Sequence, residues 1–332
     1  MKKRLIAIGI AASLLVIAIL IQSISFLTSN TFSDTSDGLF GGNSSEGPTE
    51  EVVESGSSSE RIARISVEGT IMSGQGSNPF MGEGYNHEAL LEQLEAIKED
   101  SSINGVLMYV NSPGGGVFES AEIHDKLNEL KEEGKSLYVS MGGMAASGGY
   151  YISAPADQIY ASEETFTGSL GVIMESVNYE ELADEYGVEF NTIKSGEFKD
   201  IMSPTREMTE QDEEILQTLV DESYQNFVNV ISEGRDMPED EVREIADGRI
   251  YSGQQAVDNG LIDDIGFEED ALAALKEEVG GDPEVIEYNP SGETLFGMPI
   301  DVRSFLPTSE VKWVNEMIEQ RQGPRLMYMY SE

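Results

Sequence analysis

Cysteine is absent from all 332 residues. That removes disulfides, thiol nucleophiles and thiolate-bound metals together, along with any lipid-bearing cysteine after the first apolar segment. Histidine is nearly absent too, His87 and His124 being the only two. A catalytic zinc site therefore lacks ligands, and no metal or other cofactor is expected. Both histidines fall on amphipathic stretches and read as ordinary surface-helix residues, so a Ser/His/Asp arrangement has little to draw on, although its members occur in several chain orders. Basic residues are scarce as well: 20 Lys and Arg stand against 62 Asp and Glu, a formal net charge of −42. Such a chain repels phosphate backbones, which argues against nucleic acid as a partner. The acid excess is spread along the chain and suits a hydrated surface in concentrated salt, where screening shortens to roughly 3 Å at about 1 M.

What is present begins with an apolar content of 39%, enough to bury a core. Lys2, Lys3 and Arg4 precede a mainly apolar run from Leu5 to Leu27, longer than the roughly 20 residues that span a bilayer. The basic cluster should stay in the cytosol, and no good small-x-small cleavage site follows the run, so a retained single-pass anchor in the cell membrane is expected. The rest of the chain then lies outside the cytoplasm. From Thr28 to about Glu60 the sequence is rich in Ser, Gly, Thr and Glu, too polar to offset ordering entropy, and reads as a flexible linker.

From Arg61 the pattern alternates between strand and helix. RIARISVEGTI and GVLMYV (Gly105 to Val110) read as strands, with an amphipathic helix over His87 to Lys98 between them. NSPGGG follows the second strand; a helix over Phe118 to Glu133 and a strand over Ser136 to Ser140 complete βαβ organisation. Helices are also expected over Tyr179 to Tyr186 and Thr209 to Ile231, the latter with Thr209 as N-cap. The fold class is α/β.

Three segments carry candidate chemistry. In SMGGMAASGGYYIS, Ser147 stands among small residues just before an apolar run. A helix starting there would aim backbone N–H groups at a forming oxyanion. With histidine set aside, lysine is the remaining base, and NTIKSGEFKDIMSP offers Lys194, which reads as solvated, and Lys199. A buried lysine falls from about 10.4 toward 7 to 8 and can then accept a proton near neutrality.

GGMAASGGYYIS, TGSLGVIM and IKSGEFKDIMSP, in this order, resemble the signature blocks of the signal peptide peptidase A family, Ser/Lys dyad serine peptidases, and the likeness runs from about Arg61 to Asp264. NSPGGGV is similar to that family's glycine-rich element. The resemblance implies a ClpP/crotonase-like fold of repeated ββα units behind an N-terminal transmembrane helix. It implies Ser147 as nucleophile, Lys199 as general base and Ser169 as the hydroxyl that orients the lysine. Gly114 N–H and Ser147 N–H would form the oxyanion hole. It further implies a homo-oligomeric ring or dome, of eight subunits, whose sites draw on neighbouring copies. The implied partners are cleaved signal peptides and other unfolded apolar peptides, beside the cytoplasmic membrane. The expected organisation is a basic cytoplasmic segment over 1–4, a transmembrane anchor over 5–27, a linker over 28–60, a peptidase domain over 61–290 and a C-terminal extension over 291–332. Two other readings compete: a crotonase-like acyl-CoA enzyme, and a non-catalytic membrane scaffold. The final GPRLMYMYSE is apolar for so acidic a chain; it is expected to add as a strand to a neighbouring subunit, to occupy the active-site groove as a pseudo-substrate, or to pack on its own domain.

Overall fold

The computed structural model describes residues 48–74, 85–289 and 326–330. The expected anchor over 5–27 lies outside these residues, as does most of the expected linker. Among the described residues no helix is long and apolar enough to cross a membrane.

The predicted alternation is present. β1 (Thr49–Glu54) and β2 (Ser57–Glu68) lead to α1 (His87–Glu99), β3 (Ile103–Ser112), β4 (Gly114–Gly116), α2 (Val117–Glu132), β5 (Ser136–Ala146) and α3 (Gly148–Ser153). The later elements are β6 (Gln158–Ala161), β7 (Phe166–Gly168), α4 (Glu180–Glu185), α5 (Glu210–Gly234), α6 (Glu239–Ile245), β8 (Ile250–Ser252), α7 (Gly253–Asp258), β9 (Asp264–Ile265), α8 (Glu268–Val279), β10 (Pro283–Asn289) and β11 (Met327–Met329). Thr209 does cap α5, accepting the Asp212 N–H while the Asp212 carboxylate accepts the Thr209 N–H.

One boundary differs from expectation. Residues assigned to the linker form β1 and the start of β2. Every side chain of β1 is exposed, so nothing in its hydrophobicity marks it; it is held by antiparallel backbone pairing to β10. Arg61, nearly buried, adds ion pairs to Glu50 of β1, to Asp100 at 3.0 Å and to Glu284 at 3.3 Å.

The main sheet runs β1-β10-β2-β3-β5-β6-β9, parallel from β10 onward. Its central strands are apolar on both faces because both are covered. Val106, Met108, Leu137, Val139 and Ile286 face the large core shared with α1, α2 and α5. Ile62, Leu107, Tyr138 and Val285 face the other way, onto Ala271 and Leu275 of α8. β5 carries the geometry forward. Its first half pairs with β6 and its second with β7, and between Val110↔Met141 and Ser112↔Ala145 it gains residues against β3. This bulge at Gly142–Gly143, braced by the Met144 N–H donating to Asn111 Oδ1 at 3.2 Å, re-aims the strand that ends at Ser147.

Leu107 is fully buried against α8. Leu107→Ala should cost about 2–5 kcal/mol in urea unfolding of the full chain; a loss below about 1 kcal/mol would mean that the α8 layer does not melt with the sheet.

Candidate active site

Ser147 sits where β5 gives way to α3, with φ 55° and ψ −116°, a backbone conformation that costs a non-glycine residue of order 1–3 kcal/mol. Two hydrogen bonds hold it there: its N–H donates to the Gly168 carbonyl at 2.8 Å, and its carbonyl accepts the Tyr151 N–H at 2.8 Å. The side chain is almost wholly buried, and Oγ has no hydrogen-bond partner among the described residues. Ser120 and Ser140 also bury an unpartnered hydroxyl; Ser147 differs from them in joining that state to a strained, positive-φ backbone.

The small residues around it are required by how closely backbones approach. A β-carbon on Gly114, whose φ is +101°, would collide with the Tyr328 carbonyl and stand 2.6 Å from the Gly148 nitrogen. One on Gly148 would stand 2.7 Å from Ser120 Oγ and 3.0 Å from the Gly115 nitrogen. NSPGGG and SGG thus lie backbone against backbone. β4 is supported from behind by Ile71, which donates its N–H to the Gly114 carbonyl at 2.9 Å and accepts the Gly116 N–H at 2.8 Å.

The structure brings Gly114, Ser147 and Ser169 together, and leaves Lys199 apart. Ser169 follows β7 directly, also at positive φ (52°), with its N–H donated to the Arg249 carbonyl at 2.7 Å. Lys199 lies on a 3-10 turn, Glu197–Asp200, and is exposed. The burial that its expected role as a base requires is absent within one chain. Around it Val177, Leu182, Tyr186, Phe190 and Ile193 also point into solvent, Ile193 completely. His87 bonds Tyr85 and Glu122, and His124 contacts Asn128 and Tyr151; neither is placed on Ser147.

Both N–H groups of the expected oxyanion pair are engaged in this structure. The Ser147 N–H is engaged by Gly168, and the Gly114 N–H donates to Ser112 Oγ at 3.1 Å. The Gly148 N–H, first in α3, has no partner among the described residues, and its nitrogen lies close to Gly114. Spacing alone does not tell which of two adjacent N–H groups points into the site; the positive φ of Ser147 decides it.

The C-terminal segment was open in its placement, and the structure gives it one. β11 runs antiparallel to β4, with Tyr328 opposite Gly115, while Met327 and Ile173 exchange N–H···O bonds of 3.0 Å on its other edge. Tyr328 is fully buried, stacked on Tyr151 at 4.8 Å between ring centroids and tilted against Phe227 at 4.7 Å, and its hydroxyl donates to the Ser223 carbonyl at 2.9 Å. Burial raises the phenols of Tyr328 and Tyr151, the latter to about 12. A five-residue peptide thus lies as an extended strand beside Ser147, with its own pocket.

Known proteins match this arrangement. The profile of peptidase family S49 matches residues 129–281, and that of Clp protease residues 60–164. A signal peptide peptidase SppA of Enterococcus faecium is 46% identical over 86% of this chain and 84% of its own. A protease of Synechocystis is 41% identical over 70% of this chain and 79% of its own, and one of Methanocaldococcus jannaschii 39% identical over 68% and 72%. Among solved structures, a ClpP1 mutant from Listeria monocytogenes overlays with a TM-score of 0.41 at 18% identity, over 63% of this chain and 94% of that one.

Gly114→Ala should expel β11 from β4 while the sheet survives. In hydrogen exchange, the Tyr328 N–H is expected to become fast and β3 to stay protected; unchanged protection at Tyr328 would show that the groove tolerates a β-carbon.

Proposed function

The chain belongs to peptidase family S49, with the signal peptide peptidase A proteins, and is a serine peptidase; from that premise we propose that Ser147 is the nucleophile and Lys199 the general base. The observation that carries this reading is the buried, unpartnered Oγ of Ser147 beside a groove already lined by an extended peptide. Substrate enters as a strand between β4 and the segment at Ile173, where backbone hydrogen bonds hold any sequence and the Tyr151–Phe227 pocket selects an apolar or aromatic side chain. Lys199 takes the Ser147 proton as Oγ attacks the scissile carbonyl. The oxyanion is received by the Gly148 N–H in place of the Ser147 N–H, with the Gly114 N–H turning to it from Ser112 Oγ. Protonated Lys199 then gives its proton to the leaving amine, Ser169 orienting the ammonium, and water resolves the acyl-enzyme by the same base.

Lys199 reaches Ser147 from a neighbouring copy. An exposed base on an arm that also exposes Val177, Leu182, Tyr186 and Phe190, and a nucleophile whose Oγ meets no base among the described residues, are the two halves of such a site. The assembly is a closed homo-oligomer, an eight-membered ring or dome, its fold made of repeated ClpP/crotonase-type ββα units. Residues 5–27 anchor it in the cell membrane with the catalytic domain outside the cytoplasm. That places it where cleaved signal peptides emerge, the substrate class in the name of its Enterococcus relative. The segment around β11 acts there as an internal competitor for the groove.

Full-length Ser147→Ala and Lys199→Ala should each lose roughly a thousandfold or more in hydrolysis of a fluorogenic apolar peptide. Mixing the two variants before assembly should restore part of the activity, because some sites then combine an intact serine with an intact lysine. Assembled mixtures that stay silent would place both residues of the dyad in one chain. Ending the chain at Gln322 should raise kcat/KM by opening the groove; a fall would assign β11 to structure alone.

A further inference from the structure

The turn that carries Lys199 is held to the rest of the molecule by charge. Asp200 Oδ1 accepts Lys194 Nζ at 2.7 Å and Arg206 Nε at 3.0 Å. Arg206 in turn donates from Nη1 to Asp212 Oδ2 at 2.6 Å and to the Glu207 carbonyl at 2.8 Å. Asp212 is buried in the capping box of α5, a helix rooted in the core through Phe227, Val228 and Ile231. Backbone bonds run alongside: Ser203 N–H to the Asp200 carbonyl at 2.9 Å, and Asn178 Nδ2 to the Arg206 carbonyl at 2.8 Å. Lys194–Asp200–Arg206–Asp212 is thus an alternating chain, with no net charge, leading from the turn to the helix. Lys199, next to Asp200 in sequence, makes no ion pair among the described residues and leaves the turn freely.

The remaining charges on the elements around this turn are all acidic: Glu197 on the turn itself, Glu207 in the connection, Glu210, Glu213 and Glu214 at the start of α5, and Glu175, Glu180, Glu181, Asp184, Glu185 and Glu189 on and beside α4, which the Tyr179 N–H ties to the Pro204 carbonyl. In a chain of net charge −42, that background stabilises an ammonium and opposes base chemistry. Two of the chain's few cations stand beside the one lysine that must lose its proton.

We infer that Arg206 and Lys194 are positioning residues of the general base, which capture the Asp200 carboxylate so that Lys199 is presented in a fixed turn without an anionic partner. The inference rests on Lys199 being the base. The lowered carboxylates of Asp200 and Asp212 and the raised Arg206 agree with a tightly held network, hydrogen bonding to the opposite charge being the largest cause in each.

The test is the pH dependence of kcat/KM in the assembled full-length protein, whose rising limb reports the free base. In Arg206→Gln the Asp200 carboxylate keeps Lys194 but loses its second cation, which favours protonated Lys199, and the limb should move up by about half a pH unit to one unit. In Asp200→Asn the anion is gone while both cations remain, and the limb should move down; Arg206→Lys should return it toward the parent position. Limbs that stay fixed while activity only scales down, or that move the same way in Arg206→Gln and Asp200→Asn, would overturn the inference. Where Arg206→Gln fails to assemble, the direction of the Asp200→Asn shift decides. Activity surviving in Lys199→Ala would instead refute the assignment of the base, which the other variants do not address.

Discussion

Two glycine-rich backbones packed against each other set the terms for everything around the serine. Because no β-carbon separates Gly114 and Gly115 from Gly148, the end of β5 is drawn onto β4, and Ser147 must turn through positive φ to let α3 begin. That turn leaves Oγ buried without a partner and brings the Gly148 nitrogen close to Gly114. The bulge in β5 is the other half of the device. By breaking register at Gly142 and Gly143, the strand leaves β6 and pairs with β7, which supplies the Gly168 carbonyl that fixes the Ser147 N–H. Geometry of this kind is held by backbone contacts, so it depends on side-chain absence more than on side-chain identity.

The site has a rigid part and an arm. Gly114, Ser147, Ser169 and the Tyr151–Phe227 pocket belong to the sheet and its packed helices, where apolar burial fixes positions. Lys199 belongs to a stretch whose apolar residues face outward and whose order comes from an ion-pair chain. Partly buried pairs such as Arg206–Asp212 are less affected by salt than surface pairs.

Much of this was legible in the residues. The βαβ order followed from the alternation of apolar runs with amphipathic stretches. Thr209 announced its helix as an N-cap. Three features were not legible, each for a physical reason. β1 has no apolar face, and its pairing to β10 joins residues more than two hundred positions apart. The choice between the Ser147 and Gly148 N–H groups depends on one dihedral angle. The partner of Lys199 is invisible in spacing because the lysine does not meet Ser147 within the chain. The ion-pair chain was half-visible, since Arg206 and Asp212 follow the Lys199 segment closely, but sequence does not say which carboxylate each cation takes.

The position of β10 has a bearing on how the molecule is made. It lies between β1 and β2, strands nearly adjacent in the chain, so the N-terminal edge of the sheet cannot close until residues 283–289 have been synthesised. Until then β2 presents an unpaired, largely apolar edge, the kind of surface that invites pairing with other chains. β11 comes later still in the chain. A nascent chain therefore acquires the elements around its nucleophile well before its sheet edge is sealed, and the order of synthesis separates the making of the site from the closing of the sheet.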